Sequence, residues 1–218
     1  MRLGKLYSPD EIVRDFHDGQ TLVLGGFGRY GNPENLIDLC IESKARHLTV
    51  IKLNISEPGY GEAKLISEGV VDKIITSHMN YNKEAMSLYE AGKLEVEFCP
   101  MGTIAERLRA GGAGIAAFYV QTGMGTGIEK GKDIKEFDGK KYMMETALTG
   151  DVALVRSRVA DPLGNLAYHG TNENSNPLVA MNNSTLTIAD PDMILEIDEI
   201  GIDKIATPGV YLDKILEM

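Results

Sequence analysis

The sequence has little of what several special protein classes require. Its 218 residues contain only two cysteines, Cys40 and Cys99, too few for a disulfide framework, so we expect both to be reduced core residues. No run approaches the roughly 18–20 apolar residues that span a bilayer. The first residues also lack the apolar segment of a signal peptide. These absences predict a cytoplasmic protein with no membrane partner.

Positive charge and metal-binding patterns are also scarce. Lysine and arginine total 22 against 32 acidic residues, a formal net charge of −10. Such a field repels a phosphate backbone and argues against a nucleic-acid partner, although local donors can still hold a small anion. His78 and His169 stand in no metal-ligand spacing with each other or with the cysteines, so no metal is expected.

Strand-like and helix-like segments alternate in the first half of the chain. Such alternation predicts an α/β fold, with a mainly parallel sheet and helices on both faces. Ligands of these sheets bind outside the carboxyl ends of the strands, so the site is expected there. The predicted strands are 21–24, 48–53, 73–76 and 94–98. One predicted helix begins at the Ser8–Glu11 capping box and another follows Asn32. Three more are predicted over 61–68, 83–91 and 104–109.

The sequence pattern changes after Gly111. Glycines cluster between Gly111 and Gly139, and helical signal is scarce in this stretch. Asp138-Gly139 predicts the turn of a β-hairpin over 136–143, which we interpret as an insertion. Further strands are expected at 151–159 and 184–189, with a tight turn at 161–165. Since there is no repeat, linker or low-complexity segment, the sequence predicts a single domain over residues 1–218.

The segment from Asp18 to Pro33 carries the strongest functional signal, and it reads D-G-Q-T-L-V-L-G-G-F-G-R-Y-G-N-P. Gly25 and Gly26 end a strand without side chains, and Gly28 and Gly31 permit positive φ. Their amides could form an anion-binding concavity before a helix that starts at Pro33, with Asn32 as its N-cap. The alternative is a tight turn that merely connects strand to helix.

This segment resembles the alpha signature of family I coenzyme A transferases: Asp-Gly, three apolar residues, Gly-Gly-Phe, three free positions, Gly, one free position and Pro. A dinucleotide-binding G-x-G-x-x-G fits less well, because Asn32-Pro33 occupy the helix start. The resemblance covers nearly the whole chain. It continues through Gly102 to Arg107, Arg109 to Gly114, Thr122 to Thr126, Gly150-Asp151, Gly164-Asn165 and Thr207 to Gly209.

Members of this family move coenzyme A (CoA) between carboxylic acids through covalent intermediates on a glutamate. In two-chain members that glutamate lies in the beta subunit, within an S-E-N-G motif. The resemblance therefore implies an alpha subunit that needs a beta partner, in an α2β2 assembly. It also implies a CoA thioester as substrate, no permanently bound cofactor, and acetoacetate, acetate or butyrate among the acids.

The resemblance and the loop together nominate a set of substrate- and CoA-binding residues with positioning roles. The loop would form the floor of the site, and a second glycine cluster would form another wall. Asn54, at a strand end, would contact the ligand or merely cap backbone. The set is Gly25, Gly26, Phe27, Gly28, Gly31, Asn32, Asn54, Asn82, Met101, Gly111, Gly112 and Gly114.

Two positions complicate this assignment. Ser56-Glu57-Pro58-Gly59 imitates the S-E-N-G motif, but we interpret Glu57 as a solvated loop charge, with a nucleophile as the alternative. Met101 stands where the family has a glutamine that stabilises the oxyanion, and methionine cannot donate that hydrogen bond. Either a backbone amide or Asn82 replaces it, or the substrate has changed.

The family's R-N-F-N region is also altered, because it reads Glu173 to Asn176 here. Asn172, Asn174 and Asn176 are turn formers in one interpretation and ligand contacts in another. These departures keep two other functions open: a thioester hydrolase or sugar-phosphate isomerase on the same scaffold, and a noncatalytic nucleotide-binding subunit. An isomerase would need its own general base and no partner.

Overall fold

The computed structural model describes residues 4–182 and 184–218. The strands are β1 Leu6–Tyr7, β2 Thr21–Leu24, β3 Leu48–Ile51, β4 Val71–Thr76, β5 Glu95–Phe98, β6 Ala117–Val120, β7 Ile134–Phe137, β8 Lys140–Thr146, β9 Val152–Ala160, β10 Leu166–Ala167, β11 Leu186–Ile194 and β12 Lys214–Leu216. The helices are α1 Pro9–Ile12, α2 Glu34–Ser43, α3 Glu62–Ser67, α4 Lys83–Glu90, α5 Met101–Gly112 and α6 Asn172–Ala180. Short 3₁₀ turns cover Val13–Asp15, Gly127–Glu129, Ile202–Lys204 and Gly209–Tyr211.

Nine of these strands form one sheet in the order β1-β12-β11-β9-β2-β3-β4-β5, with β10 paired antiparallel to β9. All other pairs in this sheet are parallel. From β2 the chain moves outward through β3, β4 and β5, whereas β9, β11 and β12 lie on the other side of β2. The strand order thus reverses between β2 and β9, and α/β sheets bind ligands at the carboxyl ends beside such a switch point.

The sheet is covered on both faces, as predicted. Leu22 in β2 packs in one buried cluster with Leu36 of α2. Its neighbour Val23 packs in a second cluster with Ile104 of α5 and Val179 of α6. This alternation puts α1 to α4 on one face and α5 with α6 on the other, because successive residues of a strand point to opposite faces. Among the described residues, no helix is long and apolar enough to cross a membrane.

Helix α6 was not predicted. Its sequence N-E-N-S-N-P-L-V-A contains poor helix formers and places Pro177 inside the helix. The helix packs on β9 and α5 with Val179 and Ala180 buried, so tertiary contacts override local propensity. Likewise β11 continues through Pro191, where β12 no longer pairs with it and a missing N–H is tolerated.

The predicted hairpin is confirmed as β7 and β8. Asp138 and Gly139 form its turn with φ of 49° and 72°, the left-handed values that a two-residue hairpin turn requires. Strand β6 pairs with β8 and completes a three-stranded antiparallel sheet separate from the main one. Arg107 of α5 joins the two sheets, because its Nε donates to Thr146 O at 2.7 Å while Nη1 pairs with Glu97 at 2.7 Å.

Both cysteines should be unreactive in the folded protein. Cys40 in α2 and Cys99 after β5 are free thiols, each 1% exposed. Burial raises the pKa of Cys40 to about 12 and raises that of Cys99, and only the thiolate is a nucleophile. We expect an aromatic disulfide reagent to titrate neither thiol in the native protein at mildly alkaline pH and both after denaturation. Rapid labelling of a native thiol would contradict the buried positions.

Candidate functional site

The glycine loop follows β2 and lies at the switch point of the sheet. The Gly25 amide donates to Leu154 O of β9 at 2.9 Å, and the Gly26 amide donates to Asn176 Oδ1 of α6 at 2.8 Å. Side chains have no room beside these amides, because a Cβ on Gly25 would lie 2.6 Å from the same Asn176 Oδ1. The loop is therefore fixed to elements on the far side of the crevice between β2 and β9.

The outer part of the loop is a tight reversal. The backbones of Phe27 and Tyr30 exchange hydrogen bonds of 2.9 and 3.0 Å, and the Gly28 amide donates to Asn54 Oδ1 at 3.1 Å with Gly28 at φ 55°. The amides of residues 25–28 therefore all have acceptors within the chain. This agrees with the tight-turn interpretation, because three of the four glycine amides expected to form an anion-binding concavity, those of Gly25, Gly26 and Gly28, are hydrogen-bonded within the chain. The loop instead presents the exposed side chains of Phe27, Arg29 and Tyr30.

Asn32 is not the N-cap of α2, contrary to the sequence-based expectation. The helix begins at Glu34 with Pro33 as its cap. Asn32 is 2% exposed, and its Nδ2 donates back to Gly28 O at 3.1 Å. Within the described residues its Oδ1 has no hydrogen-bond partner and packs against Gly26 and Gly61. Asn32 thus closes the loop on itself through its bond to Gly28 O.

A buried ion pair lies directly beneath the loop. Lys52 Nζ is 2.8 Å from Glu62 Oε2, and both side chains are 0% exposed. Lys52 Nζ also donates to Ser56 Oγ at 2.7 Å and to Gly28 O at 3.3 Å. The Ser56 hydroxyl lies 2.7 Å from Gly28 O and 3.0 Å from Glu62 Oε2, and the Ser56 amide donates to Glu62 Oε1. The Gly28 carbonyl is thereby surrounded by donors from Lys52, Ser56 and Asn32.

Sequence reasoning missed this cluster. Lys52 lies inside the segment predicted as an apolar strand, and Glu62 lies in the first turn of a predicted helix, where an acid suits the helix dipole. The available signal was a lysine within an otherwise apolar buried run, because such a charge requires a partner.

The other two predicted asparagines hold backbone as well. Asn54 accepts from the Gly28 amide and is 2% exposed. Asn82 is fully buried, because its Oδ1 caps α4 at the Ala85 amide (2.9 Å) and its Nδ2 donates to Ser56 O at 3.1 Å. Asn82 would have to break both buried bonds to reach an oxyanion. The structure therefore does not support Asn82 as the replacement for the missing glutamine.

The asparagines expected in a turn lie in α6, so the turn interpretation is wrong. Asn176 is fully buried, accepts from the Gly26 amide and donates to Arg156 O at 2.6 Å. Asn172 packs so closely on Gly31 that any Cβ there would overlap its side-chain amide. Asn174 and Glu173 are exposed. Asn172 and Asn176 thus position the loop from the α6 side of the crevice.

The structure separates Met101 from the second glycine cluster. Met101 is the half-buried first residue of α5, at the carboxyl edge of the sheet beside the end of β5. Gly111 and Gly112 end the same helix, roughly 15 Å further along its axis. They pack against Leu148 O and Met181 O, near the amino ends of β9 and β11. The expected second wall of Gly111, Gly112 and Gly114 is therefore not brought to the glycine loop.

A surface cavity of about 480 Å³ also lies at that opposite edge. It lies beside the amino ends of β2, β9 and β11 and is lined by acidic groups of Asp15, Asp18 and Asp151. Asp15 is paired with Lys214, but Asp18 and Asp151 leave a negative charge that would repel an anionic substrate. The charge and the topology therefore both favour the carboxyl edge as the substrate side.

Comparison with known proteins decides the family. The coenzyme A transferase family model matches residues 7–218. This chain belongs to the coenzyme A transferase family. One subunit of a succinyl-CoA:3-ketoacid coenzyme A transferase from Xanthomonas campestris is 47% identical over 91% of this chain and 82% of that protein. The alpha subunit of an acetate CoA-transferase from Escherichia coli is 38% identical over 97% of this chain and 96% of that protein.

Solved structures of coenzyme A transferases share the fold. An acyl-CoA transferase from Escherichia coli superposes with a TM-score of 0.87 at 20% identity over 99% of this chain. This chain spans about half of that longer protein, 47% of its length. The glutaconate coenzyme A-transferase of Acidaminococcus fermentans gives a TM-score of 0.80 at 22% identity, covering 97% of this chain and 75% of that one. The predicted fold class is thus confirmed.

Glu57 lies in the loop between β3 and α3 of this coenzyme A transferase chain. Its side chain is exposed, whereas Ser56 beside it is fully buried and hydrogen-bonded to Glu62. Pro58 follows, and the Tyr60 amide donates to Glu57 O at 3.2 Å in a tight turn. This setting agrees with the interpretation of Glu57 as a solvated loop charge.

Breaking the buried pair from one side should be costly. Glu62→Leu leaves Lys52 charged and unpaired in the interior, and we expect a loss of about 3–5 kcal/mol in the free energy of unfolding. Lys52→Met combined with Glu62→Leu should recover most of that loss, since no charge then remains buried. Urea unfolding measures both. The exposed Arg109–Glu106 pair is the control, and Arg109→Ala should barely move the midpoint.

The same measurement tests the contact between the loop and α6. Gly31→Ala and Gly59→Ala both place a side chain at positive φ, 67° and 86° respectively. We expect this strain to lower the free energy of unfolding by about 1–2 kcal/mol in each variant. Gly59 faces open space, whereas an alanine at position 31 overlaps Asn172. We therefore expect the loss of stability to be about 1–3 kcal/mol larger for Gly31→Ala. Adding Asn172→Ala should remove that excess. Equal losses at the two glycines would contradict the packing of Asn172 on the loop.

Proposed function

We propose that this chain is the alpha subunit of a CoA-transferase that moves CoA between a short-chain acyl-CoA and a carboxylic acid such as acetoacetate, acetate or butyrate. The observation that carries the proposal is the signature loop Gly25–Asn32, held rigidly at the switch point with Phe27, Arg29 and Tyr30 exposed. Relatives of nearly the same length are named as subunits of such enzymes, and the one from Escherichia coli is named as the alpha subunit. The acids named here are those that the family resemblance implies.

The chemistry requires a nucleophilic carboxylate, which we assign to a beta partner. That glutamate attacks the thioester carbonyl and expels the CoA thiolate, leaving a mixed anhydride. The thiolate then attacks the glutamyl carbonyl, which forms a glutamyl-CoA thioester and releases the first acid. The acceptor carboxylate reverses these two steps. Each exchange conserves the thioester bond, so no other cofactor is consumed.

This chain supplies positioning in that scheme. The loop is tied to β9, to α6 and to Asn54 in the segment after β3, so it presents a fixed surface that need not reorganise when substrate arrives. Met101 places an apolar thioether where the family has a donor. We assign the remaining oxyanion stabilisation to backbone N–H groups, since Asn82 is committed to α4 and Ser56.

Mapping the covalent intermediate tests the division of labour. The chain is co-expressed with the product of the adjacent reading frame, incubated with acyl-CoA, digested and analysed by mass spectrometry. We expect the CoA adduct on a glutamate of the partner, and an unchanged adduct yield with Glu57→Gln. An adduct on Glu57, or its loss in that variant, would assign the nucleophile to this chain.

An acceptor screen on the same complex tests the reaction class. Transfer predicts that thioester consumption depends on an added carboxylic acid and yields a new acyl-CoA, and that the isolated chain is inactive. Release of free CoA without an acceptor would instead indicate a hydrolase. Failure of the complex to bind any CoA thioester would favour a noncatalytic role.

A further inference from the structure

Arg29 is the exposed cation at the tip of the glycine loop. In the family signature it occupies the middle one of the three free positions, Gly28-Arg29-Tyr30, so the motif does not dictate its identity. Phe27 and Tyr30 on either side are 37% and 60% exposed, and Arg29 itself is exposed. This tip stands at the carboxyl edge of the sheet, where the fold places ligands.

The guanidinium of Arg29 is held in place by its neighbour. Its Nη2 donates to Tyr30 Oη at 3.0 Å, and its Cζ lies 5.1 Å from the centroid of the Tyr30 ring, which is a cation–π contact. The Phe27–Tyr30 backbone pair fixes the turn beneath. An arginine restrained in this way loses less side-chain entropy when it binds an anion than a freely rotating one.

The charge of Arg29 remains available. Within the described part of the chain no carboxylate lies within ion-pair distance of its guanidinium. The hydrogen bond to Tyr30 and, after it, the field of Glu57 raise the pKa of Arg29, so the group stays protonated. Lys52, which lies beneath the loop, is buried and neutralised by Glu62. Arg29 is thus a positive surface charge at this loop in a chain of net charge −10.

We propose that Arg29, oriented by Tyr30, binds an anionic group of the substrate. The inference rests on the proposed function. A guanidinium offers two parallel N–H donors that match a carboxylate or a phosphate. Two parts of the substrates carry such a group: a second carboxylate on a dicarboxylic acyl moiety, and the phosphates of CoA.

The experiment uses the complex reconstituted with the beta partner. Arg29→Gln is compared with wild type for monocarboxylic acceptors (acetate, butyrate) and a dicarboxylic one (succinate). If the second carboxylate is the ligand, Arg29→Gln lowers kcat/KM for succinate about 10- to 100-fold, mainly through KM, and leaves the monocarboxylic acids within about twofold. Arg29→Lys should recover part of the loss, because it restores charge but not the paired donors.

A second arm distinguishes the phosphate source. If Arg29 binds a CoA phosphate, the loss appears with every acid for CoA thioesters and disappears with a pantetheine thioester, which carries no phosphate. Arg14→Gln is the matched control, because it removes the same charge from an exposed residue of the 3₁₀ turn that precedes β2, near the opposite edge of the sheet. It should leave the kinetics unaltered.

Three results would overturn the inference: no change in any assay, a loss shared by all acids and by the pantetheine thioester, or an equal loss in the Arg14→Gln control. Absence of transfer by the wild-type complex with every acid would instead refute the proposed function. The two failures are therefore distinguishable.

Discussion

The glycine loop depends on the buried Lys52–Glu62 ion pair beneath it. Two charges removed from water are tolerated only with good geometry and further hydrogen bonds, and here Ser56 and the Gly28 carbonyl supply them. Asn82 Nδ2 donates a hydrogen bond to Ser56 O, so the same cluster also ties the loop to the start of α4. We therefore regard the pair as the constraint that holds the loop in one conformation. An apolar core in its place would specify the loop conformation less well.

That conformation decides what the chain can contribute to catalysis. The inner amides of the loop are bonded to β9, α6 and Asn54, so they serve structure, and the surface left for a substrate is the side chains from Phe27 to Tyr30. A fixed loop that lacks a buried reactive group is consistent with the proposed role, in which this chain orients a thioester and a partner supplies the nucleophile. The exposed Arg29 adds a positive charge to that surface.

Local signals predicted much of this architecture, and long-range contacts account for what they missed. Strand β2 and the hairpin turn at Asp138-Gly139 follow from periodicity and turn chemistry within a few residues. Helix α6 and the contact of Asn176 with Gly26 join segments 150 positions apart, and no local pattern encodes them. Gly111 was predicted to line the site, but it packs against Leu148 O. The sequence alone does not distinguish a glycine needed for close packing from one that lies beside a ligand.

The role assigned to this chain requires that substrate binds at the carboxyl edge of the sheet, against the glycine loop. The most direct test is a structure of the chain with its beta partner and a non-hydrolysable CoA thioester analogue. We expect density for the analogue beside Phe27, Arg29 and Tyr30 and near the start of α5 at Met101. An analogue bound against Gly111–Gly114, or in the acidic cavity at the amino ends of β2 and β9, would contradict it.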